Sequence, residues 1–381
     1  MRFTLAAAAA VVVVACGRTP SPEISFVGSP VPSAVEVRRL PARDIRALSA
    51  LTLTNEQWRQ VLRVETSGSQ GIPLAGTYLA GDGLIRFTPM FPFEPGRTYR
   101  ATFDPTRIPA VNVSDPWRRR LERTFTVPAV SAERSTVVRQ VYPSGPALPE
   151  NMLRFYIEFS APMGRGSALE HIRLVEEGGR EVVDPFLPVE AELWNRERTR
   201  FTLFFDPGRV KRGIKPNRDL GRALIAGKRY ALVIGDRWLD GRGQPLKSEH
   251  RHTFTAGPAD EHALDTSAWK ISAPSRGTRD PLVVTFPRPL DAVLLSRALS
   301  VRIATQRAAA GESGLPGEIR IDAAETRWSF APRDRWSSGH YSLVVLTLLE
   351  DPAGNRIGRA FEVTRPVDDP GDRVEIGFSV K

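Results

Sequence analysis

The chain has 381 residues, a formal charge of +10 and 41% hydrophobic residues, with one cysteine, so it can fill ordinary cores but cannot close an internal disulfide. Its 32 prolines and 30 glycines exclude long uninterrupted helices and favour short strands joined by turns. Gly-x-Ser-x-Gly, a phosphate-binding loop, His-Glu-x-x-His, zinc-finger spacing and the aromatic–basic RNP pattern are all missing from the sequence, which argues against a familiar hydrolase or nucleic-acid binder.

In chain order, the first element is Met1-Arg2 followed by an apolar run from Leu5 to Ala15 and then Cys16. The run is too short to span a hydrocarbon core of about 30 Å as a helix, so it reads as a cleaved export signal. Val13-Val14-Ala15-Cys16 resembles the lipobox of bacterial lipoproteins, with Val in place of the commoner Leu. The resemblance implies a signal peptide at 1–15, lipidation of Cys16 and a membrane association through that N-terminal lipid. Gly17, with no Asp there, resembles the outer-membrane sorting pattern of diderm lipoproteins. Proline-bearing residues 16–23 then read as an extended tether.

Five signals recur in the same order along the rest of the chain. An alternating strand ends in Phe-x-x-Pro-apolar at Phe159-Ser160-Ala161-Pro162-Met163 and at Phe286-Pro287-Arg288-Pro289-Leu290, with Val35-Glu36-Val37 running to Pro41 as a weaker first copy. A capped helical turn follows, expected from Thr54 to Gln57, from Ser167 to Glu170, and from Asp291 into a helix reaching Leu299. Each leads to a strand with arginine between apolar residues: Leu62-Arg63-Val64, Ile172-Arg173-Leu174 and Val301-Arg302-Ile303. Further strands are expected at Ile85-Arg86-Phe87, Arg200-Phe201-Thr202 and Arg327-Trp328-Ser329. Glycine then precedes tyrosine at a strand start, in Gly96-x-x-Tyr99, Gly227-x-x-Tyr230 and Gly339-x-Tyr341, where the tyrosine can bury its ring and bond nearby backbone. A turn at Asp240 to Leu246, matched at Asp351 to Ile357, leads to a closing strand expected at His252 to Thr255 and at Ala360 to Val363.

Units of this size with six or seven short strands fit two-sheet sandwiches. The strand ending in Phe-Ser-Ala-Pro-Met, the Gly-x-x-Tyr strand and the Asp-x-x-Gly-x-Pro-Leu turn resemble bacterial Ig-like modules of S-layer and other surface proteins. The expectation is an all-β chain of three tandem Ig-like β-sandwich domains: a divergent domain at 24–128, a second at 135–256, a third at 268–365, and a C-terminal tail at 366–381.

Candidate sites are few. His250 and His252 share a strand face, but no third metal ligand is evident and Arg251 lies between them. Asp236, Asp240, Gly241 and Gly243 loosely resemble a calcium loop, yet Arg237 and Arg242 bring repelling charge and a plain turn explains them better. Glu176-Glu177 ahead of Gly178-Gly179 reads as a solvated hairpin tip. The segment that stands out is the basic insertion at 207–229, where Arg209, Lys211, Arg212, Lys215, Arg218 and Arg222 form a candidate site for a polyanion; the plainer reading is a charged loop packing Ile214, Leu220 and Leu224 over a sheet edge.

The functional expectation is a non-catalytic, exported, membrane-anchored envelope protein that uses Ig-like modules for binding, adhesion or envelope organisation. It needs no cofactor and no metal; its partners would be envelope polysaccharide or another envelope protein, with no nucleic acid. Two alternatives stand beside it: a periplasmic assembly partner with a free sheet edge, and a chain of an exported hydrolase. The hydrolase needs convergent carboxylates or histidines with shifted pKa values in a cleft where units meet.

Overall fold

The computed structural model describes residues 21–67, 73–109, 119–130, 133–189, 191–210, 221–304, 314–361 and 371–381. Cys16, the signal segment, and Lys211, Arg212, Lys215 and Arg218 lie outside the described residues. Two compact units divide the chain: Met1–Phe93 with Arg97–Pro128, and Glu94–Gly96 with Ala129–Lys381.

The first unit builds β1 (Glu23–Val27), β2 (Ala34–Arg38), α1 (Ala42–Ser49), α2 (Asn55–Val61), β3 (Leu62–Thr66), β4 (Gly76–Gly81), β5 (Leu84–Pro89), β6 (Thr98–Phe103) and β7 (Leu121–Thr126). Its strands form two antiparallel sheets, in the orders β1-β2-β5-β4 and β3-β6-β7. Alternation decides the core: Val35, Val37, Ile85 and Phe87 from one sheet meet Leu62, Val64, Tyr99, Ala101 and Phe103 from the other. The capping box expected at Thr54 is present, its side chain accepting from the Gln57 amide while the Gln57 side chain accepts from the Thr54 amide.

The second unit holds two sandwiches, each with its own core. The first contains β8 (Val138–Tyr142), β9 (Ala147–Pro149), β10 (Arg154–Phe159), β11 (Ile172–Glu176), β12 (Leu193–Trp194), β13 (Arg200–Phe204), α3 (Pro207–Val210), β14 (Arg229–Ile234) and β15 (His250–Gly257). Its sheets run β8-β10-β13-β12 and β11-β14-β15-β9, the short β9 lying parallel to β15. The last sandwich contains β16 (Lys270–Ser272), β17 (Leu282–Thr285), α4 (Ala292–Ala298), β18 (Leu299–Ile303), β19 (Gly317–Ile321), β20 (Arg327–Pro332), β21 (Gly339–Leu346) and β22 (Arg373–Val380). Its sheets run β16-β17-β20-β19 and β18-β21-β22.

All three sandwiches therefore place their first, second, fifth and fourth principal strands in one sheet and their third, sixth and seventh in the other. That is the strand order of a seven-stranded immunoglobulin constant-type domain. The divergent first copy shares it fully, so its missing Phe-x-x-Pro-apolar element changes a strand exit and not the topology.

Three expectations need correction. The tail expected at 366–381 contains β22, the closing strand of the third domain, paired along its whole length with β21 and setting Val374, Ile376, Phe378 and Val380 against the core; 366–370 lie outside the described residues. The closing strand expected at Ala360 to Val363 is absent at Ala360 and Phe361, and its remainder falls outside the described residues. Ser167 also makes no side-chain cap; the turn after it is a single 3-10 turn, Ala168–Glu170, whose Ala168 amide donates to the Glu192 carboxylate at 2.8 Å. The Glu170 amide that a capping box would use donates instead to the Ser167 carbonyl at 3.0 Å.

The other recurring signals find one shared geometry. Tyr230 and Tyr341 bury their rings, Tyr230 Oη accepting from the Ile225 amide at 3.1 Å and Tyr341 Oη donating to the Ser337 carbonyl at 3.0 Å. Asp240 Oδ1 accepts from the amides of Arg242 (2.8 Å) and Gln244 (3.0 Å), and Asp351 Oδ1 accepts from those of Ala353 (2.9 Å) and Asn355 (3.0 Å). In both domains the residue before that aspartate holds the exit of the second strand: Gly164 N donates to Leu239 O at 3.0 Å, and Asp291 N to Glu350 O at 2.8 Å.

Candidate functional site

Within the second unit, charge is gathered and buried where the second and third domains meet. The alternation of β10 turns Phe155, Ile157 and Phe159 into the core and leaves Arg154, Tyr156 and Glu158 on the outer face of the sheet. Tyr156 is nonetheless only 7% exposed, because turns of the third domain cover that face. By register, the first domain carries Glu36 at this position and the third carries Val283.

Arg154 is the centre of the junction. Its Nη2 donates to Asp291 Oδ2 at 2.8 Å and to Glu350 Oε2 at 2.6 Å, and its Nε donates to Asp291 Oδ2 at 3.1 Å. The Tyr156 hydroxyl donates to that same oxygen at 2.8 Å. Asp291 Oδ1 accepts the Leu294 amide at 2.9 Å and so caps α4, while Glu350 Oε1 accepts from Arg356 at 2.8 and 2.6 Å. The guanidinium carbon also lies 5.7 Å from the ring centroids of Tyr156 and Phe204. Backbone bonds flank the ion pairs: Leu153 N donates to Pro352 O at 2.9 Å, and the Asn151 side chain exchanges two bonds with the backbone of Asp260, at 2.9 and 3.0 Å.

Burial by itself would lower the Arg154 pKa, but Asp291, Tyr156 and Glu350 outweigh it and hold the guanidinium charged. Burial first, and then Asp291, raises the pKa of Tyr156, which keeps its hydroxyl a donor. Glu325 enters from the turn between β19 and β20; it is fully buried, and the Ser144 amide donates to its two oxygens at 2.9 and 3.3 Å. Burial, opposed by the Ser144 bonds and reinforced by Asp322 and Asp291, pushes its pKa up to about 7.

Carboxylates thus converge where two domains meet, as the hydrolase alternative requires, but the setting differs from a reactive cleft. Tyr142, Leu290, Ala292 and Pro352 help close the space beside Arg154 and Glu325 to about 10 Å³, room for one water. The oxygens of Asp291 and Glu350 are taken by Arg154, Arg356, Tyr156 and a helix amide. What this cluster does is fasten one domain to the next.

The basic insertion is placed in part. Arg209 is buried, only 4% exposed: its Nε donates to Gly221 O at 2.7 Å and its Nη1 to Val183 O, so the guanidinium ties the loop to its own domain. Arg222 pairs with Glu150 in a largely buried bridge. Neither presents its charge to a polymer, because each is needed to satisfy buried acceptors. Asp240, in the calcium-like loop, accepts two amides on Oδ1 and the Thr136 hydroxyl on Oδ2 at 2.8 Å. Its carboxylate closes a turn. Glu176 is held by Lys228 and Arg180, and Glu177 by Arg229 at 3.0 Å, as an ionic ladder on a strand end. His252 packs its ring 6.2 Å from Phe155 and 6.0 Å from Phe254, and burial lowers its pKa. Among the described residues no group of three His, Cys, Asp or Glu side chains is placed to hold a metal.

Sequence reading missed Arg154, Tyr156, Glu325 and Glu350, and took Asp291 only as a helix cap. The polar side of β10 was visible, but nothing local shows that a later domain covers it.

No protein-family model matches the sequence, and no curated protein matches it. Among solved structures, a chimeric titin Z1Z2 carrying a decorin peptide is 12% identical over 66% of this chain and 97% of that chain, with a TM-score of 0.21. Domains 4–9 of the surface-layer protein SbsC are 9% identical over 86% of this chain and 40% of that one, with a TM-score of 0.20. Native α2-macroglobulin of Escherichia coli, spanning MG0-NIE-MG1, is 11% identical over 94% of this chain and 89% of that one, with a TM-score of 0.19. The fold rests on the strand order, which gives each of the three sandwiches an Ig-like topology.

Proposed function

We propose that this chain is a non-catalytic, lipid-anchored protein of the cell envelope, whose Ig-like domains bind a partner or organise the envelope. The observation that supports this reading is the use made of the recurring residues. Phe159, Met163, Asp240 and Tyr230, with their counterparts Phe286, Leu290, Asp351 and Tyr341, serve strand packing and turn closure. A chain that repeats a scaffold and places no reactive group at its recurring positions suits display of surface. Export and anchoring rest on the apolar leader and Cys16. Lys211, Arg212, Lys215 and Arg218 are the proposed contacts for an anionic envelope polysaccharide, with Arg209 and Arg222 bracing the loop.

Membrane fractionation of the native chain and of Cys16→Ala tests the anchor: the native chain is expected in the membrane and the variant in the soluble fraction. A variant still held in the membrane would overturn the anchoring. Charge reversal of Lys211, Arg212 and Lys215 is expected to weaken retention on an acidic polysaccharide and to flatten its salt dependence. Unchanged retention removes this loop from the proposal.

A further inference from the structure

The third domain offers its turns to the second, and one residue there has no cation to match it. Glu325 sits at φ +55° in the β19–β20 turn with its carboxyl group fully buried. Among the described residues it makes no ion pair; its contact across the junction is Ser144, whose amide donates to both its oxygens and whose hydroxyl, like that amide, favours the ionised form. The Ser144 hydroxyl in turn donates to Ala323 O, so the loop after β8 grips this turn from both sides. Among the described residues, the charges that act most on Glu325 are carboxylates, Asp322 in its own turn and Asp291 at the start of α4. Arg154 lies across the same small space, but its donors go to Asp291 and Glu350.

We propose that the second and third domains dock through a proton-bearing Glu325, so that docking takes up a proton and the junction tightens as its surroundings acidify. An ionised carboxylate in that position would be buried near two more carboxylates, with the amide and hydroxyl of one serine to offset the loss of water, and burial outweighs that help. Once the domains part, Glu325 returns to solvent and to its ordinary acidity.

The groups facing it stay silent across neutral pH. Arg154 remains charged, and Tyr142 and Tyr156 remain neutral, their pKa values raised chiefly by burial. His252, which hydrogen-bonds the Pro143 carbonyl behind this loop, has its pKa lowered by burial, which favours its neutral form. Asp351 is likewise raised by burial but is paired with Arg288 at 3.0 Å, away from Ser144. With Glu325 near 7 when docked and at its usual 4.5 when free, the docking equilibrium falls about tenfold between pH 6 and pH 8.

Hydrogen exchange at the Ser144 amide reads this opening directly in the full chain. After correction for intrinsic exchange, its protection is expected to fall about tenfold from pH 6 to pH 8, and to become independent of pH in Glu325→Gln. Should that variant not fold, Glu325→Ala gives the same readout, since it also removes the titrating group. Constant protection in the native chain, or an equal fall in either variant, overturns the proposal.

Discussion

At the scale of single residues, the fold depends on side chains that satisfy backbone where strands end. Asp240 closes a turn through two amides and the Thr136 hydroxyl, and is buried while doing so. Asp240→Ala strands those donors and is expected to lower the stability of the second unit by about 2–3 kcal/mol in urea unfolding. A loss below about 0.5 kcal/mol would show that the turn closes without its carboxylate. Gly76 and Gly317 occupy matching places at the start of the fourth strand, paired with Pro89 and Pro332, and each lies against a phenylalanine ring two positions along the neighbouring strand, Phe87 or Phe330. An added methyl would overlap both that ring and a carbonyl, so Gly317→Ala is expected to cost about 1–3 kcal/mol by overpacking. Glu36 shows the opposite charge logic to Glu325. Burial would raise its pKa, but Arg86 and Arg38 override this and hold it below the usual carboxylate value. Its folded pKa being depressed, its stabilising contribution is present above its unfolded pKa of about 4.5 and is lost as pH falls. Acid unfolding of the first unit should therefore shift in Glu36→Gln; an unchanged midpoint would remove Glu36 from the acid response.

At the scale of elements, β22 carries the most consequence. Its alternation sets four apolar side chains against the last core, and its backbone completes the β18-β21-β22 sheet. A chain ending at Asp372 is expected to lose cooperative unfolding of the third domain, together with the near-ultraviolet signal of Trp328 and Trp336. Retention of both would restore the view of this segment as a tail. The alternation of Val374, Ile376, Phe378 and Val380 was open to reading, yet a closing strand had already been assigned near Ala360. Strand periodicity marks a strand but does not state which partner it will take, because the length of the connection before it is free to vary.

At the scale of the whole molecule, the second and third domains act as neighbours with a shared, buried ionic contact. Removing Arg154 leaves Asp291 and Glu350 facing each other without it, which is expected to cost about 3–5 kcal/mol. In calorimetry the native chain is expected to unfold these two domains together, and Arg154→Ala to separate them into distinct transitions. Identical coupling in the variant would assign the contact no cooperative role.

Local pattern decided a great deal of this protein. Period-two alternation set which side chains are buried, the recurring Gly-Tyr and Asp-Gly signals located strand starts and turns, and repetition of both pointed to tandem sandwiches. These are short-range effects of backbone sterics, side-chain bonding and burial, so they are written in neighbouring residues. The shared topology of the degenerate first domain, the internal use of Arg209 and Arg222, and the meeting of Arg154 with Asp291 and Glu350 were decided only when distant segments packed. Whether an arginine meets solvent or a buried carboxylate depends on what lies across from it, and for Arg154 those partners stand 137 and 196 residues away in the chain.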